Sequence, residues 1–242
     1  MDKWIQKRIG YISASHLADL MSKGKGKEWG QTAISYLYRV EMERYLNEPS
    51  AYRDAPALRF GRENEQYAVE WLRENIYAGI RYYETDFEEK PFITVPWAKF
   101  GATPDTDIPD EDGNPREIIE IKTTYSDSAI YTYFSPSKPY EKKKEEAFKE
   151  HREQLAGQLL ACPTCESISI LKYNPQRDDE WDLRSPIDIS RGIMFSWTRE
   201  EFGDYLEQMK QRIIQADEYL NTGMELDLIN EYYSSKKSVK KI

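Results

Sequence analysis

The segment EIIEIKTT at residues 117–124 places two charged residues inside a run that otherwise predicts a buried β-strand. Side chains alternate across a strand, so Ile119 and Ile121 point to one face while Glu120 and Lys122 point to the other. Taken alone, the segment favours a half-buried strand whose polar face carries an ion pair. The neighbouring segments add a second interpretation, in which this face is part of a catalytic site.

A β-hairpin is predicted to bring a second acid to this face. KFGATPDTDI at residues 99–108 predicts a strand, and the PDEDGNP that follows it at 109–115 is rich in turn formers. A hairpin folds the first strand back along the second, so Asp105 is expected beside Glu120. Two carboxylates and the carbonyl of Ile121 suit Mg²⁺ or Mn²⁺, which prefer oxygen ligands. Lys122 is then expected to contact the attacking water or the scissile phosphate.

The chain as a whole predicts one mixed α/β domain over residues 1–223, followed by a frayed tail at 224–242. A short helix is expected to start at Ser13 or Ser15, either of which is a good N-cap, and to end near Gly24. Apolar spacing predicts further helices at 31–47, 57–75, 143–161 and 199–221, and strands at 90–97, 99–108, 117–124, 167–174 and 192–197.

Composition restricts the range of partners. A hydrophobic share of 39% with 13% aromatic residues is typical of a globular protein. The net charge of −9 argues against a uniformly basic surface, so a nucleic-acid partner needs a local positive groove or bound cations. The lysine-rich KGKGK at 23–27 is a better candidate for such contacts than EKKKEE at 141–146, because glycine lets the backbone approach phosphate. No apolar run is long enough to span a bilayer, and no signal-peptide core is recognisable, so a cytoplasmic protein without a membrane partner is expected.

The cysteines and histidines are too few for a structural zinc site. Cys162 and Cys165 form a single CPTC pair, and the histidines are His16 and His151. A redox pair and two incidental thiols therefore stay open, and an iron–sulfur cluster with four cysteine ligands is excluded.

The order of four motifs indicates a family. The pattern P-D, a hairpin, then E-x-K is that of the PD-(D/E)xK nuclease superfamily, but so short a pattern also arises by chance. RIGYISAS at 8–15 matches R-x-G-x-[IV]-[ST]-A-S, and FGRENEQYA at 60–68 matches a G-x-x-x-E-x-x-A helix that carries Glu65. HREQLAGQLLA at 151–161 matches the glutamine-bearing helix that follows the E-x-K strand. With these motifs the chain resembles the lambda exonuclease / YqaJ-type viral recombinase family over roughly residues 7–175.

This resemblance implies a three-layer α/β/α core, with a mixed central sheet flanked by helices, and a metal-dependent deoxyribonuclease. The family's activity is Mg²⁺-dependent hydrolysis of DNA from duplex ends, 5′→3′, and it implies two ions per site, with Mn²⁺ as a substitute. The resemblance further implies a homo-oligomeric ring, such as a trimer, around DNA. A single-strand annealing protein would be the partner in phage-type recombination, in the cytoplasm of a bacterial or phage-infected cell.

The resemblance also implies roles for individual residues. Asp105 and Glu120 would be metal ligands, with Lys122 orienting the nucleophilic water and Glu65 reaching the site through water. Gln154 would support the nucleophile or the scissile phosphate, although Gln158 lies one turn later on the same face.

Three further residues are implied to bind the end of the substrate. Arg8, Ser15 and Thr103 would form a pocket for the terminal 5′-phosphate, since a guanidinium and hydroxyl groups suit that anion.

Asp105 is followed by Thr106 where the family has glycine, and this departure leaves exonuclease and endonuclease behaviour open. A restriction-type endonuclease with the same site is one alternative, and a non-catalytic DNA-end-binding protein is another. Tyr131, Tyr133 and Phe134 are predicted either to stack on bases or to pack in the core.

Overall fold

The structure is a computed structural model, and it describes residues 3–50, 55–83, 91–124, 126–175 and 191–223. Within these ranges the helices are α1 (Lys3–Arg8), α2 (Leu17–Met21), α3 (Gln31–Leu46), α4 (Pro56–Asn75), α5 (Asp127–Phe134), α6 (Tyr140–Ala161) and α7 (Asp204–Thr222). The strands are β1 (Ile12–Ser13), β2 (Arg81–Tyr82), β3 (Ile93–Thr94), β4 (Phe100–Ala102), β5 (Thr106–Pro109), β6 (Pro115–Thr123), β7 (Ser167–Tyr173) and β8 (Gly192–Thr198). Short 3₁₀ turns lie at Ala14–His16 and Arg199–Phe202.

The strands form a mixed sheet and a smaller one beside it. The five-stranded sheet has the order β2-β5-β6-β7-β8, and the three-stranded sheet has the order β1-β4-β3. In the larger sheet β6 and β7 are parallel, while the other neighbours are antiparallel. Parallel neighbours need a long crossover, and α5 and α6 lie in the connection between β6 and β7.

Helices cover both faces of the larger sheet. On one face Ile119 and Ile121 of β6 share an apolar cluster with Val69 and Leu72 of α4. On the other face Ile118 belongs to a larger cluster that includes residues of α2, α3, α6 and α7. The three-layer α/β/α arrangement predicted from the sequence is therefore confirmed, and the alternation of β6 leaves Glu120 and Lys122 on the α6 side.

The strand predicted at 99–108 is wrong in one respect that bears on the site. Its two halves, β4 and β5, belong to different sheets, and the chain bends between them at Thr103–Asp105. Pro104 lacks the N–H that a continuous ladder requires, which accounts for a break at this point. Asp105 therefore lies at the entrance of the hairpin strand and not within it. The strand predicted at 90–97 is limited to β3.

The N-terminal capping prediction also needs correction. Ser13 occupies the N-cap of the 3₁₀ turn, but its side chain makes no capping hydrogen bond. Its backbone N–H instead donates to the Tyr36 hydroxyl at 3.0 Å, and its Oγ lies 3.2 Å from Ser15 Oγ. The helix that follows ends at Met21, three residues before Gly24.

Two further differences concern the ends of predicted elements. The region after the E-x-K strand contains α5, which is capped by Ser126 Oγ accepting from the N–H of Ala129 at 3.3 Å. Helix α6 begins at Tyr140, three residues earlier than predicted. The tail predicted at 224–242 lies outside the described residues. None of the helices in the described ranges is long and apolar enough to cross a membrane.

One glycine fixes how closely α6 approaches the N-terminal segment. A Cβ added at Gly157 would collide with Leu17 Cδ1 and would lie 3.0 Å from the Cβ of Ala14. Because no side chain intervenes, the 3₁₀ turn that carries Ser15 packs directly on α6. The predicted phosphate pocket is thereby placed beside the glutamines of that helix.

Candidate active site

The hairpin register places two carboxylates opposite each other at the end of β5. Thr106 pairs with Ile119, so extending the ladder by one position sets Asp105 across from Glu120. Asp105 Oδ2 accepts a hydrogen bond from the N–H of Ile121 at 2.9 Å. The N–H and C=O of one residue point to the same edge of a strand, so the Ile121 carbonyl also faces the Asp105 side. The two acids and the carbonyl that the sequence predicted together are brought to one edge.

Glu120 is buried and held by donors from three residues. Its Oε2 accepts from Lys122 Nζ at 3.1 Å and from Gln154 Nε2 at 2.6 Å. Its Oε1 accepts from Gln158 Nε2, which also donates to the carbonyl of Thr103 at 3.0 Å. Both glutamines of α6 therefore contact Glu120, so Gln158, which the motif match did not select, belongs to the site with Gln154.

Lys122 lies among three acidic side chains. Burial alone would lower the pKa of its ammonium, but the negative charges of Glu120, Asp105 and Glu65 together raise that pKa above the usual value. The side chain is 28% exposed, whereas that of Glu120 is 1% exposed. Lys122 is thus charged and reaches towards solvent, as a residue that contacts a phosphate must.

Glu65 approaches this group from the other helix layer. It lies on α4, which packs against β6, and it is 9% exposed. Within the described ranges no three side chains of His, Cys, Asp or Glu are close enough together to hold an ion by themselves. Any role of Glu65 towards a metal would therefore be indirect, whereas Asp105, Glu120 and the Ile121 carbonyl form a donor set that fits Mg²⁺ chemically.

Ser15 and Thr103 both follow the short strand pairing that joins β1 to β4. The parallel pair Ser13–Gly101 joins β1 to β4, and each of the two hydroxyl residues lies two positions beyond it. Arg8 lies 5.9 Å from the ring centroid of Phe92. Its charge is among the causes that lower the pKa of His16, after burial and Arg39, so it lies near the start of α2. The predicted pocket residues are thus brought to one region, with Thr103 linked to Glu120 through Gln158.

Two buried oxygens in this region have no hydrogen-bond partner among the described residues. They are Thr103 Oγ1 and Gln158 Oε1. Leaving a buried polar atom unpaired costs about 1–3 kcal/mol, so such atoms at a cleft are expected to meet a ligand or water. The hydroxyl of Thr103, a residue of the predicted phosphate pocket, fits this expectation.

Residues of α3 extend the pocket in a way that the motifs did not reveal. His16 stacks on the Tyr36 ring, with centroids 5.3 Å apart, and the Arg39 guanidinium lies 5.1 Å from the same ring centroid. Burial raises the pKa of Tyr36 to about 12, so its phenol stays neutral. Tyr36 and Arg39 read as ordinary members of an amphipathic helix, and only the packing of α3 against the 3₁₀ turn identifies them.

The structure also decides two open points from the sequence. Tyr133 and Phe134 of α5 are buried, so they pack in the core, while Tyr131 is 70% exposed. Lys23, Lys25 and Lys27 are exposed on a tight turn closed by a bridge between Gly24 and Lys27.

The base of this lysine turn is fixed by one buried arginine. Arg212 lies 3.3 Å from the ring centroid of Trp29. It donates to the carbonyls of Leu20 at 3.2 Å and Glu28 at 2.9 Å.

Comparison with known proteins identifies a family and a fold. A model of the YqaJ-like viral recombinase domain matches residues 3–165. A search of curated proteins found no significant match. Among solved structures, the chain is similar to an alkaline exonuclease from Laribacter hongkongensis, with 20% identity, a TM-score of 0.64 and complete coverage of both chains.

Two other solved structures show the same fold. The Laribacter protein in complex with dAMP matches with 21% identity and a TM-score of 0.63, again over both whole chains. A phage-related exonuclease from Haemophilus somnus 129PT matches with 14% identity and a TM-score of 0.64, covering 92% of this chain and 96% of that one.

Proposed function

Because this chain belongs to the family of the YqaJ-like viral recombinase domain, we propose that it is a Mg²⁺-dependent exonuclease that shortens duplex DNA from its ends in the 5′→3′ direction. The observation that carries this proposal is the hairpin register that sets Asp105 across from Glu120, with the N–H of Ile121 donating to Asp105 Oδ2 at 2.9 Å. The names of the exonucleases with the same fold support the same class of reaction.

The site holds the groups that phosphodiester hydrolysis needs. Asp105, Glu120 and the Ile121 carbonyl would hold a divalent cation, with Mn²⁺ as a substitute and a second ion near Glu65. When bound, the cation supplies Lewis-acid chemistry towards the phosphate and makes water a stronger nucleophile. Gln154 and Gln158 fix the Glu120 carboxylate, so its orientation is set before substrate arrives. Lys122 would hold the attacking water against the scissile phosphate as a compact positive charge.

Recognition of a DNA end is proposed for the neighbouring pocket. Arg8 and the hydroxyls of Ser15 and Thr103 would bind the terminal 5′-phosphate, and the unpaired Thr103 Oγ1 supports this role. Lys23 and its neighbours on the lysine turn would contact backbone phosphates, because a rigid, exposed cluster of positive charge offsets the net charge of −9.

The assembly and its setting are proposed from the family alone. A homo-oligomeric ring, such as a trimer, would place basic residues on the inside and acidic residues outside. Its partner would be a single-strand annealing protein during recombination in a bacterial or phage-infected cytoplasm. Size-exclusion chromatography with light scattering tests the ring, and a monomer at working concentration contradicts it.

The experiment that tests the activity uses linear duplex DNA with either strand labelled, with and without a 5′-phosphate. In Mg²⁺ we expect the 5′-phosphorylated strand to be shortened from its 5′ end, and we expect chelation with EDTA to stop the reaction. Glu120→Gln should be inactive, while Glu117→Gln on the same strand should retain activity. Cleavage of covalently closed circular DNA would support an endonuclease instead, and binding without shortening would support an end-binding protein.

A further inference from the structure

A second ionic group lies under α6, one strand away from the candidate active site. Lys172 of β7 is 3% exposed, and its Nζ lies 3.2 Å from Glu150 Oε2 and 2.6 Å from His151 Nε2. The same ammonium lies 4.3 Å from the ring centroid of Tyr133, whose hydroxyl donates to Glu150 Oε2 at 2.5 Å. These residues (Lys172, Glu150, His151 and Tyr133) form what we call the Lys172 cluster.

The cluster adjoins Lys122 directly. Lys122 and Lys172 are register partners on the parallel strands β6 and β7, so their side chains leave the same face of the sheet at neighbouring positions. Their ammonium groups diverge, since Lys122 turns to Glu120 at 3.1 Å while Lys172 turns to Glu150. Burial lowers the pKa of His151, and the positive charges of Lys172 and Lys122 lower it further, which places the imidazole near both lysines.

The buried charge of Lys172 lowers the stability of the folded protein. Burial lowers the pKa of its ammonium to about 8, against an ordinary value of 10.5. The folded protein therefore binds this proton less tightly than the unfolded chain, so the stability penalty is fully present below pH 8 and is relieved as the pH rises towards 10.5. Costly buried charges are concentrated at functional sites, which points to a role beyond folding.

The cluster contains a carboxylate, Glu150, which is bound by Lys172. For its proposed role Lys122 must detach from Glu120 and reach the water and the scissile phosphate. Glu150 contacts Lys172 and His151, and Lys122 is close enough to this group to lower the pKa of His151. Without Lys172, the charge of Glu150 would attract a detached Lys122 ammonium away from the acids. Lys172 and the Tyr133 hydroxyl both bind Glu150 Oε2, and His151 Nε2 lies 3.2 Å from Oε1.

We propose that Lys172 is a positioning residue, which neutralises Glu150 and thereby keeps the Lys122 ammonium available to the reacting phosphate. This inference rests on the proposed function. Lys172 is too deeply buried to touch DNA, so it acts on turnover and not on substrate binding.

The test compares Lys172→Met, Lys172→Arg, Glu150→Gln and the double variant Lys172→Met/Glu150→Gln. Lys172→Met should lower kcat about 10-fold with KM for 5′-phosphorylated duplex unchanged, as for other residues that orient a reacting group. Lys172→Arg keeps the charge and should recover most of the rate. The double variant should also recover it, because it removes the competing carboxylate. Lys143, on α6, is also a buried lysine, 8% exposed, and Lys143→Met serves as the matched control with wild-type kinetics.

Thermal unfolding supplies a readout that does not depend on activity. Because Lys172→Met removes a poorly solvated charge, its melting temperature at neutral pH should equal or exceed that of the wild type. A double variant as slow as Lys172→Met overturns the proposal, and so does Lys172→Met with a wild-type kcat. Loss of folding in Lys172→Met would show a structural role and would also overturn it. If the wild type degrades no DNA, both this inference and the proposed function are wrong, whereas an active wild type with an unaffected Lys172→Met refutes the inference alone.

Discussion

Two aspartates of the segment PDTD, Asp105 and Asp107, leave the same face of the sheet but have different surroundings. Asp107 pairs with Ile118 on one side and Arg81 on the other, and it is fully buried. Its Oδ1 accepts from Arg81 Nε at 2.6 Å and its Oδ2 from the Tyr83 hydroxyl at 2.6 Å. Asp105 lies across from Glu120, and its Oδ2 accepts from a neutral backbone N–H.

The difference separates an acid that stabilises the fold from the acid for which a catalytic role is proposed. A guanidinium and a phenol occupy both oxygens of Asp107, so its charge is matched inside the protein. In the Asp105–Glu120 pair the backbone and the amides of Gln154 and Gln158 orient the carboxylates without cancelling their charge. Lys122 forms an ion pair with Glu120 at 3.1 Å, and its side chain is 28% exposed. Two carboxylates kept close together favour the binding of a cation, and for this reason this pair and not Asp107 is the candidate metal site.

The strongest test of this comparison neutralises the acid pair. Glu120→Gln keeps the shape of the side chain but removes its charge, so we expect activity to fall about 10³-fold or more. The melting temperature should stay the same or rise, because a buried and crowded charge is lost. Initial rates with labelled duplex and a thermal melt on the same sample measure both. A variant that keeps a tenth of the activity would break the assignment, and Asp105→Asn should behave as Glu120→Gln does.

Neutralising Asp107 should have the opposite result, a loss of stability without a loss of activity. Asp107→Asn leaves Arg81 with a weaker partner, and breaking a buried ion pair costs about 3 kcal/mol in the free energy of unfolding. The folded fraction should retain wild-type kcat, since no group of the site is altered. Urea unfolding and single-turnover rates at low temperature separate the two effects. Asp112→Asn, in the exposed turn of the same hairpin, is the control and should change neither quantity.

The contrast between the two aspartates also shows which features of the site can be predicted from the sequence. The alternation in EIIEIKTT and the turn formers before it predict the hairpin, and the structure confirms the antiparallel pairing that sets Asp105 beside Glu120. Which aspartate of PDTD is catalytic does not follow from alternation, because both leave the same face. The match to the P-D motif selects Asp105, and the partners of Asp107 show the physical reason.

Alternation and turn formers do not predict which strands pair when these are far apart in the sequence. In the sequence, Lys172 is a single charged residue within an apolar strand. Its position beside Lys122 depends on the parallel register of β6 and β7, which the crossover through α6 allows. The break at Pro104 follows from proline chemistry, but the assignment of β4 to a separate sheet depends on its pairing with β1. Helix α5 is short and follows a polar turn, so its periodicity gives too weak a signal.

A smaller effect is expected when the orienting amides are removed. Gln158→Ala deletes the bond to Glu120 Oε1 and the bond to the Thr103 carbonyl, while Gln154→Ala deletes the bond to Oε2. Each should lower kcat about 30-fold, which is the range for residues that position a metal ligand. Metal titration of the rate should show a weaker apparent affinity for Mg²⁺ in both variants. Unchanged affinity and rate would mean that the glutamines only fill space, and the comparison with Asp107 would lose its basis. Gln211→Ala, on the exposed side of α7, is the matched control.

The smallest effect is expected from removing one hydroxyl group, that of Tyr83, which donates to Asp107. Tyr83→Phe removes the donor to Asp107 Oδ2 but leaves the Arg81 bond, so the free energy of unfolding should fall by about 1 kcal/mol. Burial and the Asp107 carboxylate both raise the pKa of Tyr83, so the phenol donates its proton throughout the physiological range and the loss should not depend on pH there. Activity should be unaffected, because neither Asp105 nor Glu120 loses a partner. A drop in kcat without a drop in stability would show that Asp107 communicates with the site after all, and the two carboxylates would then have to be treated as one coupled group.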